Sequence, residues 1–347
     1  MGISSKGSGD PSVGDDAPGG SPVEFRRLLV QLGIAMVAAG DAVDIIEESL
    51  RRIVAAYGVT GLQIALLPTS LFVQTGTGDS AHVQFSSQVT PPLRLDQIDG
   101  LYRLVKQLER AELTPADGLR RLSALYRQRP TFRWPLRTAG HAILTAGLVL
   151  LLQPTPAGIA AAAALGLLIG LLKLPRLPTL TLIFPIVASF VTAAVVFAAA
   201  SYLHADNPIR LLVAPLVTFL PGGMLAIATM EIAAGQMVSG ASRLVNGFVQ
   251  LALLAFGIVA AGALVRVPQA DFIDHRAAGL GAWAAWAGVA VFAAGVYLHF
   301  SAPLRCFPWM LLVLFVAFTG QVAGDALFGA DQRVLRCRRD DAGSPVG

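Results

Sequence analysis

Charge is what this sequence has least of. Only 14% of its 347 residues are acidic or basic, against about a quarter in soluble domains, and 54% are hydrophobic. That balance excludes an ordinary soluble protein and points to residence in a lipid bilayer. Cysteine is nearly absent as well: Cys306 and Cys337 lie far apart in no ligand spacing, so no disulfide framework is expected. The five histidines, His82, His141, His204, His275 and His299, form no cluster along the chain, and neither a metal site nor another cofactor is expected. The first 22 residues lack the apolar core of a secretory signal; rich in Gly, Ser, Asp and Pro, they read as a flexible leader. A Gly-x-Ser-x-Gly elbow, a phosphate-binding glycine loop and paired carboxylates beside a histidine are all missing from the N-terminal part, which argues against an enzyme. The net charge is a weak +4, and Lys and Arg sit mostly in the first part and at segment ends rather than in a stripe, so no nucleic-acid partner is expected.

What charge there is lies unevenly. Before Arg137 it comes every few residues, whereas over 138–328 it nearly vanishes for long runs. The fold class expected is an α-helical polytopic membrane protein with a small α+β cytosolic domain at residues 23–133. Within that domain, apolar residues from Phe25 to Val54 recur at helical spacing over 22–57, with a break at Gly40. The acids Asp41, Asp44, Glu47 and Glu48 read as a solvated face, because Glu47 with Arg51 and Glu48 with Arg52 make i,i+4 pairs of favourable polarity. Two strand-like runs, 62–75 and 82–89, separated by Gly76, Gly78 and Asp79, predict a β-hairpin. A helix follows over 95–113, and Thr114, Pro115 and Asp117 open another.

Beyond the domain come seven apolar segments, 136–152, 157–172, 178–202, 208–230, 244–265, 281–300 and 307–328, most near the ~20 residues that cross a bilayer. They divide into a first membrane module of five spans (134–266), a partial second of two (279–330) and a polar tail (331–347). Arg120, Arg121, Arg127, Arg129 and Arg133 precede the first segment and Arg137 stands at its start, Lys173 and Arg176 follow the second, Arg243 the fourth and Arg305 the sixth. The positive-inside tendency then puts the N-terminal domain in the cytosol, and the loop 267–276 outside. Ala139-Gly140-x-Ala142 with Ala146-Gly147 in the first segment recurs as Ala287-Gly288-x-Ala290 with Ala294-Gly295 in the sixth, at one offset of 148 residues. A displacement of five spans from one copy to the next would make the repeat inverted, an architecture recurrent in secondary transporters; chance in an Ala-rich chain is the alternative.

Candidate chemistry concentrates in 215–247. Pro221, Gly222 and Gly223 fall mid-segment, where they would break the helix. The half-helix restarting at Gly222 would offer free N–H groups and a positive dipole end to a carboxylate, or the same residues would serve as a packing kink. Glu231 is either a proton carrier, with Arg243, or an interfacial acid beside that arginine. Asn246 and Gln250, one turn apart, would meet the ammonium or hydroxyl of a substrate, or pack helices. His141 reads as a packed or snorkelling residue near a helix start, and Asp325 as an interfacial one.

These residues carry a resemblance. The helices around Ala39-Gly40-Asp41 and up to Tyr57-Gly58, the strand 64–72, the helical pair ending near Leu125, and above all Leu220-Pro221-Gly222 with Glu231, Gly235, Gly240, Arg243 and Leu244 resemble the bacterial threonine/serine exporter family over about 25–265. Residues 282–329 resemble the start of that family's second membrane module, which here stops early, as in a truncated chain or one that relies on a partner. The resemblance implies proton-motive-force-driven export of threonine, serine or a similar small solute across the bacterial inner membrane. Some two-component relatives are associated with dicarboxylate export. Its partners would be a small amino-acid substrate, protons, the bilayer, and a partner subunit or further copies of the chain. The rival reading is a non-transporting scaffold or regulatory subunit of an exporter.

Overall fold

The structure, a computed structural model, describes residues 21–59, 62–67, 70–75, 82–86, 91–152, 155–174, 180–199, 208–265 and 280–342. Residues 1–20 of the leader, the expected turn residues Gly76, Gly78 and Asp79, and the loop 267–276 lie outside them, whereas the leader's last residue, Pro22, opens the first helix. The chain divides into two compact units, one drawn from Met1–Pro130 and Leu220–Ala252, the other from Thr131–Phe219 and Leu253–Gly347.

In the first unit the long amphipathic run forms two helices, α1 (Pro22–Ala39) and α2 (Val43–Ala56). Gly40 separates them because the closing turn needs a left-handed residue: its φ is 92°, and the N–H groups of Gly40 and Asp41 close on the carbonyls of Val37 and Met36. Three strands follow, β1 (Leu62–Leu67), β2 (Ser70–Thr75) and β3 (His82–Ser86), in an antiparallel sheet of order β1-β2-β3. The hairpin expected between the two runs is β2 with β3, Leu71 opposite Ser86. The first run, expected as one strand, is itself a hairpin, Leu67 pairing with Ser70. Pro68 falls between them, and a proline cannot donate to the ladder of a continuous strand.

Leu71 and Val73, two apart, turn one face of the sheet into the core with Leu28, Leu29, Leu32, Leu50 and Ile53 of α1 and α2. Burying such a side chain contributes about 1.5–3 kcal/mol. Helix α3 (Leu95–Glu109) adds Leu101, Leu104, Val105 and Leu108, an i, i+3, i+4, i+7 stripe. Helix α4 (Pro115–Arg127) is capped as expected: the Thr114 hydroxyl accepts the Asp117 N–H at 3.1 Å, with Pro115 in the first turn. The same unit contains α9 (Gly222–Ala233) and the first part of α10 (Met237–Val265).

Among the described residues, the regular elements of the second unit are all helices. It holds α5 (Trp134–Leu151), α6 (Pro156–Leu172), α7 (Leu180–Ala199), α8 (Pro208–Leu216) with a 3-10 turn Val217–Phe219, the remainder of α10, α11 (Ala282–His299) and α12 (Phe307–Ala342). Each of the seven apolar segments thus contains helix, the fourth being split between α8 and α9. By length and composition two helices, Met237–Val265 and Leu304–Leu327, can cross a membrane, and the broken pair Arg210–Phe219 with Gly222–Ala233 makes a third if counted as one span; Pro156–Leu172, Ile183–Ala199 and Trp283–His299 are shorter apolar helices. The chain is a helical protein built for a membrane.

The two copies of the repeated motif pack against each other. A Cβ on Gly295 would overlap the backbone of Leu144, and one on Gly147 the backbone of Phe292; one on Gly140 would stand 2.7 Å from Leu298 Cβ, and one on Gly288 2.9 Å from Leu150 Cβ. Each contact becomes its counterpart when 148 residues are added to one partner and subtracted from the other. Partners descend along α11 as residues ascend along α5, so the helices run antiparallel and the contact is self-complementary, as across a two-fold axis. Both ends of α5 and α11 also differ by that offset.

Candidate functional site

In the first unit the residues singled out around Glu231 converge with the α1–α2 junction. Helix α2 begins after Ala42, which has no side chain to cap it, so its first N–H groups need an acceptor from elsewhere. Glu231, in α9, supplies one: its Oε1 accepts the Val43 N–H at 3.1 Å from 188 residues away in sequence. The carboxylate also faces the positive end of the α2 dipole. Its other oxygen lies 3.2 Å from Arg243 Nε, and the same guanidinium donates from Nη2 to the Asp41 carbonyl at 2.8 Å.

Glycines bring these two side chains together. Gly235, at φ 86°, makes the turn out of α9, and Gly240 of α10 lies so close to α9 that a Cβ would stand 2.7 Å from the Ala228 carbonyl oxygen. Glu231 is fully buried, while Arg243 keeps part of its side chain exposed. Asp41 departs from the solvated face expected for it: it is half-buried, and its Oδ1 accepts from the Tyr102 hydroxyl, while Oδ2 is buried with no hydrogen-bond partner among the described residues. Burial pushes its carboxyl above the ordinary value, against the Tyr102 hydrogen bond and the Arg243 charge. Asp44 and Glu48 remain exposed, and Glu47 and Glu48 pair with Arg51 and Arg52 as expected.

Pro221 is the N-cap of α9 and offers no side-chain cap, so the helix opens with uncapped N–H groups. Gly222 and Gly223 are exposed, and a Cβ on either would meet nothing within 4 Å. Gly247 is the opposite case: its Cβ would press on Leu225, so α10 packs closely on α9 there. Asn246 is exposed and Gln250 half-buried, one turn along the same helix. Glu231 and Arg243 take their partners from each other and from residues 41–43, so neither amide joins the ion pair.

A second polar cluster, in the second unit, was not legible as one. His141 is buried, as a packed residue should be, but its ring lies 4.7 Å from that of His299, which α11 brings beside it. His141 Nδ1 is 2.9 Å from the Gly166 carbonyl oxygen, which can only accept, so Nδ1 carries the proton and Nε2, 3.2 Å from the Thr218 hydroxyl, accepts. Thr218 in turn accepts from Lys173 Nζ at 2.7 Å. His299 is fixed in the same way: Nδ1 donates to the Arg137 carbonyl at 3.1 Å, which leaves Nε2 facing Lys173 Nζ at 3.4 Å. The available signal was small: Lys173 is the sole lysine after Lys106. Asp325 is exposed on α12.

A family model described as "putative threonine/serine exporter" (ThrE) matches residues 27–265. The chain belongs to the threonine/serine exporter family. Its match takes in the broken helix, the Glu231–Arg243 pair and the α1–α2 junction that they meet. The family is one of transporters, not of enzymes, and implies a small solute and a membrane setting. No curated protein and no solved structure matches the chain.

Proposed function

We propose that this member of the threonine/serine exporter family moves threonine, serine or a similar small solute out across the bacterial inner membrane, driven by the proton gradient. The observation that carries the reading is Glu231, a carboxylate buried against one cation and one helix start inside the stretch that matches the family. Protonating it would release Arg243 and weaken the cap on α2, which links proton occupancy to the conformation of the α1–α2 junction. The open space over Gly222 and Gly223 supports a substrate seat at Pro221, Gly222 and Gly223 over a packing kink, since neither glycine is needed for a close contact. Asn246 and Gln250 are the polar groups we assign to the solute's ammonium or hydroxyl.

The self-complementary contact of α5 with α11 supports an inverted repeat, and the arginine distribution supports a cytosolic domain over 23–133. Efflux from cells loaded with a threonine dipeptide tests the whole reading. Cells with the complete assembly should export threonine faster than cells lacking it, and Glu231→Gln should remove the dependence on the proton gradient. Efflux equal to that of control cells would leave a scaffold or regulatory subunit; gradient-dependent efflux in the variant would end the role of Glu231.

A further inference from the structure

Beside the histidine cluster, α5, α6 and α11 enclose a cavity of about 430 Å³ lined by Trp134, Arg137, Thr138, Lys173 and His299 among others. Its volume is that of a small-solute site. No acid lines it. Asp325, exposed on α12, is the one acid whose side chain is described anywhere in this unit. Lys173 Nζ is met only by neutral groups among the described residues: the Thr218 hydroxyl, the His299 Nε2 lone pair and the ring face of Phe219, 4.5 Å from its centroid. A half-buried ammonium with no carboxylate among the described residues is costly, and an anion in the cavity would relieve it. Arginine's planar fork, always charged, matches a carboxylate on the same wall.

We propose that this cavity is a seat for the carboxylate of a small solute, held between the Lys173 ammonium and the Arg137 guanidinium. It differs in chemistry from the N–H groups at the start of α9, and it rests on the reading of the chain as an exporter. Burial and the neighbouring Arg137 charge lower Lys173 to about 7. An anion would favour its ammonium form, so carboxylate binding takes up a proton, and affinity falls as the pH rises past that value. Arg137 and His141 on α5, Lys173 at the end of α6 and His299 on α11 are the titratable groups that face one another there. The chain from Lys173 through the Thr218 hydroxyl to His141 Nε2 offers that proton a further acceptor.

Calorimetric titration of the full chain in phosphatidylcholine nanodiscs tests the site without a transport assay. L-threonine should bind saturably and L-threoninamide, which lacks the carboxylate, should not. Lys173→Met and Arg137→Gln should each weaken threonine binding at least tenfold, and so should raising the pH from 6 to 9. Equal binding of threoninamide, or no heat from threonine, overturns the proposal on the unaltered chain, whatever the variants do to folding. Loss of the threonine signal when phosphatidylglycerol replaces part of the lipid would assign the cavity to a lipid phosphate and overturn it too. Binding without cellular efflux would keep the site and remove the exporter reading; efflux without binding would do the reverse.

Discussion

Glu231 has two jobs, balancing Arg243 and capping α2, and its removal should be felt in both. Glu231→Ala leaves a buried cation and an uncapped helix start, and should cost about 3–5 kcal/mol, read as a lowered Tm in detergent. Glu231→Gln keeps an acceptor for the Val43 N–H and should cost less. Asp41 has the opposite sign. Its folded carboxyl is raised above the ordinary 3.8, so the stability it contributes in acid is lost as the pH climbs through the folded value. Asp41→Asn retains an acceptor for Tyr102 and should abolish that loss, so the variant should gain on the parent chain from pH 4 upward in thermal unfolding. The sequence made Glu231 and Arg243 visible because they flank one turn at Gly235. It hid Asp41, which sits on the same helical pattern as truly solvated acids but takes its partners from far along the chain, Tyr102 for its carboxylate and Arg243 for its carbonyl.

Glycines separate the elements into two kinds. Gly147 and Gly295 lie against backbone, which cannot move aside as a side-chain tip can, so Gly147→Leu or Gly295→Leu should destabilise by about 1–3 kcal/mol or more and reduce the amount of folded protein recovered from membranes. Gly222→Leu with Gly223→Leu meets open space, so folding and insertion should survive while export from a complete assembly stops. Undiminished efflux in that double variant would remove the seat at α9. The repeat was readable as a pattern of small residues, but a pattern states only that two helices share a surface, not that the surfaces face each other. The run 62–75 reads as one strand for a related reason: β-branched and apolar residues announce extended chain, whereas the turn between β1 and β2 rests on the single proline of the run, Pro68.

For the molecule as a whole, the basic residues make the testable statement. With the N-terminal domain in the cytosol, an impermeant thiol reagent should label Asp271→Cys in intact cells and spare Ser123→Cys, which is exposed on α4; the reverse pattern would invert the topology. The helical class and the family were legible because bilayer residence leaves long uncharged runs and the family's glycines and prolines stand at fixed spacings. The grouping of α9 with the N-terminal unit was not, since hydropathy reports the solvent of a segment and not its neighbours. Nor was the Lys173 cluster, whose members come from four separate stretches of chain.

The seam between α5 and α11 also limits how such a protein can move. Helices held apart by interlocking side chains can slide a little by changing rotamers. Here the two main chains touch through Gly140, Gly147, Gly288 and Gly295, and a small shift would drive one backbone into the other. The pair therefore has a single setting and behaves as a fixed spine. Any opening of a solute path toward one side of the membrane and then the other falls to the helices around that spine.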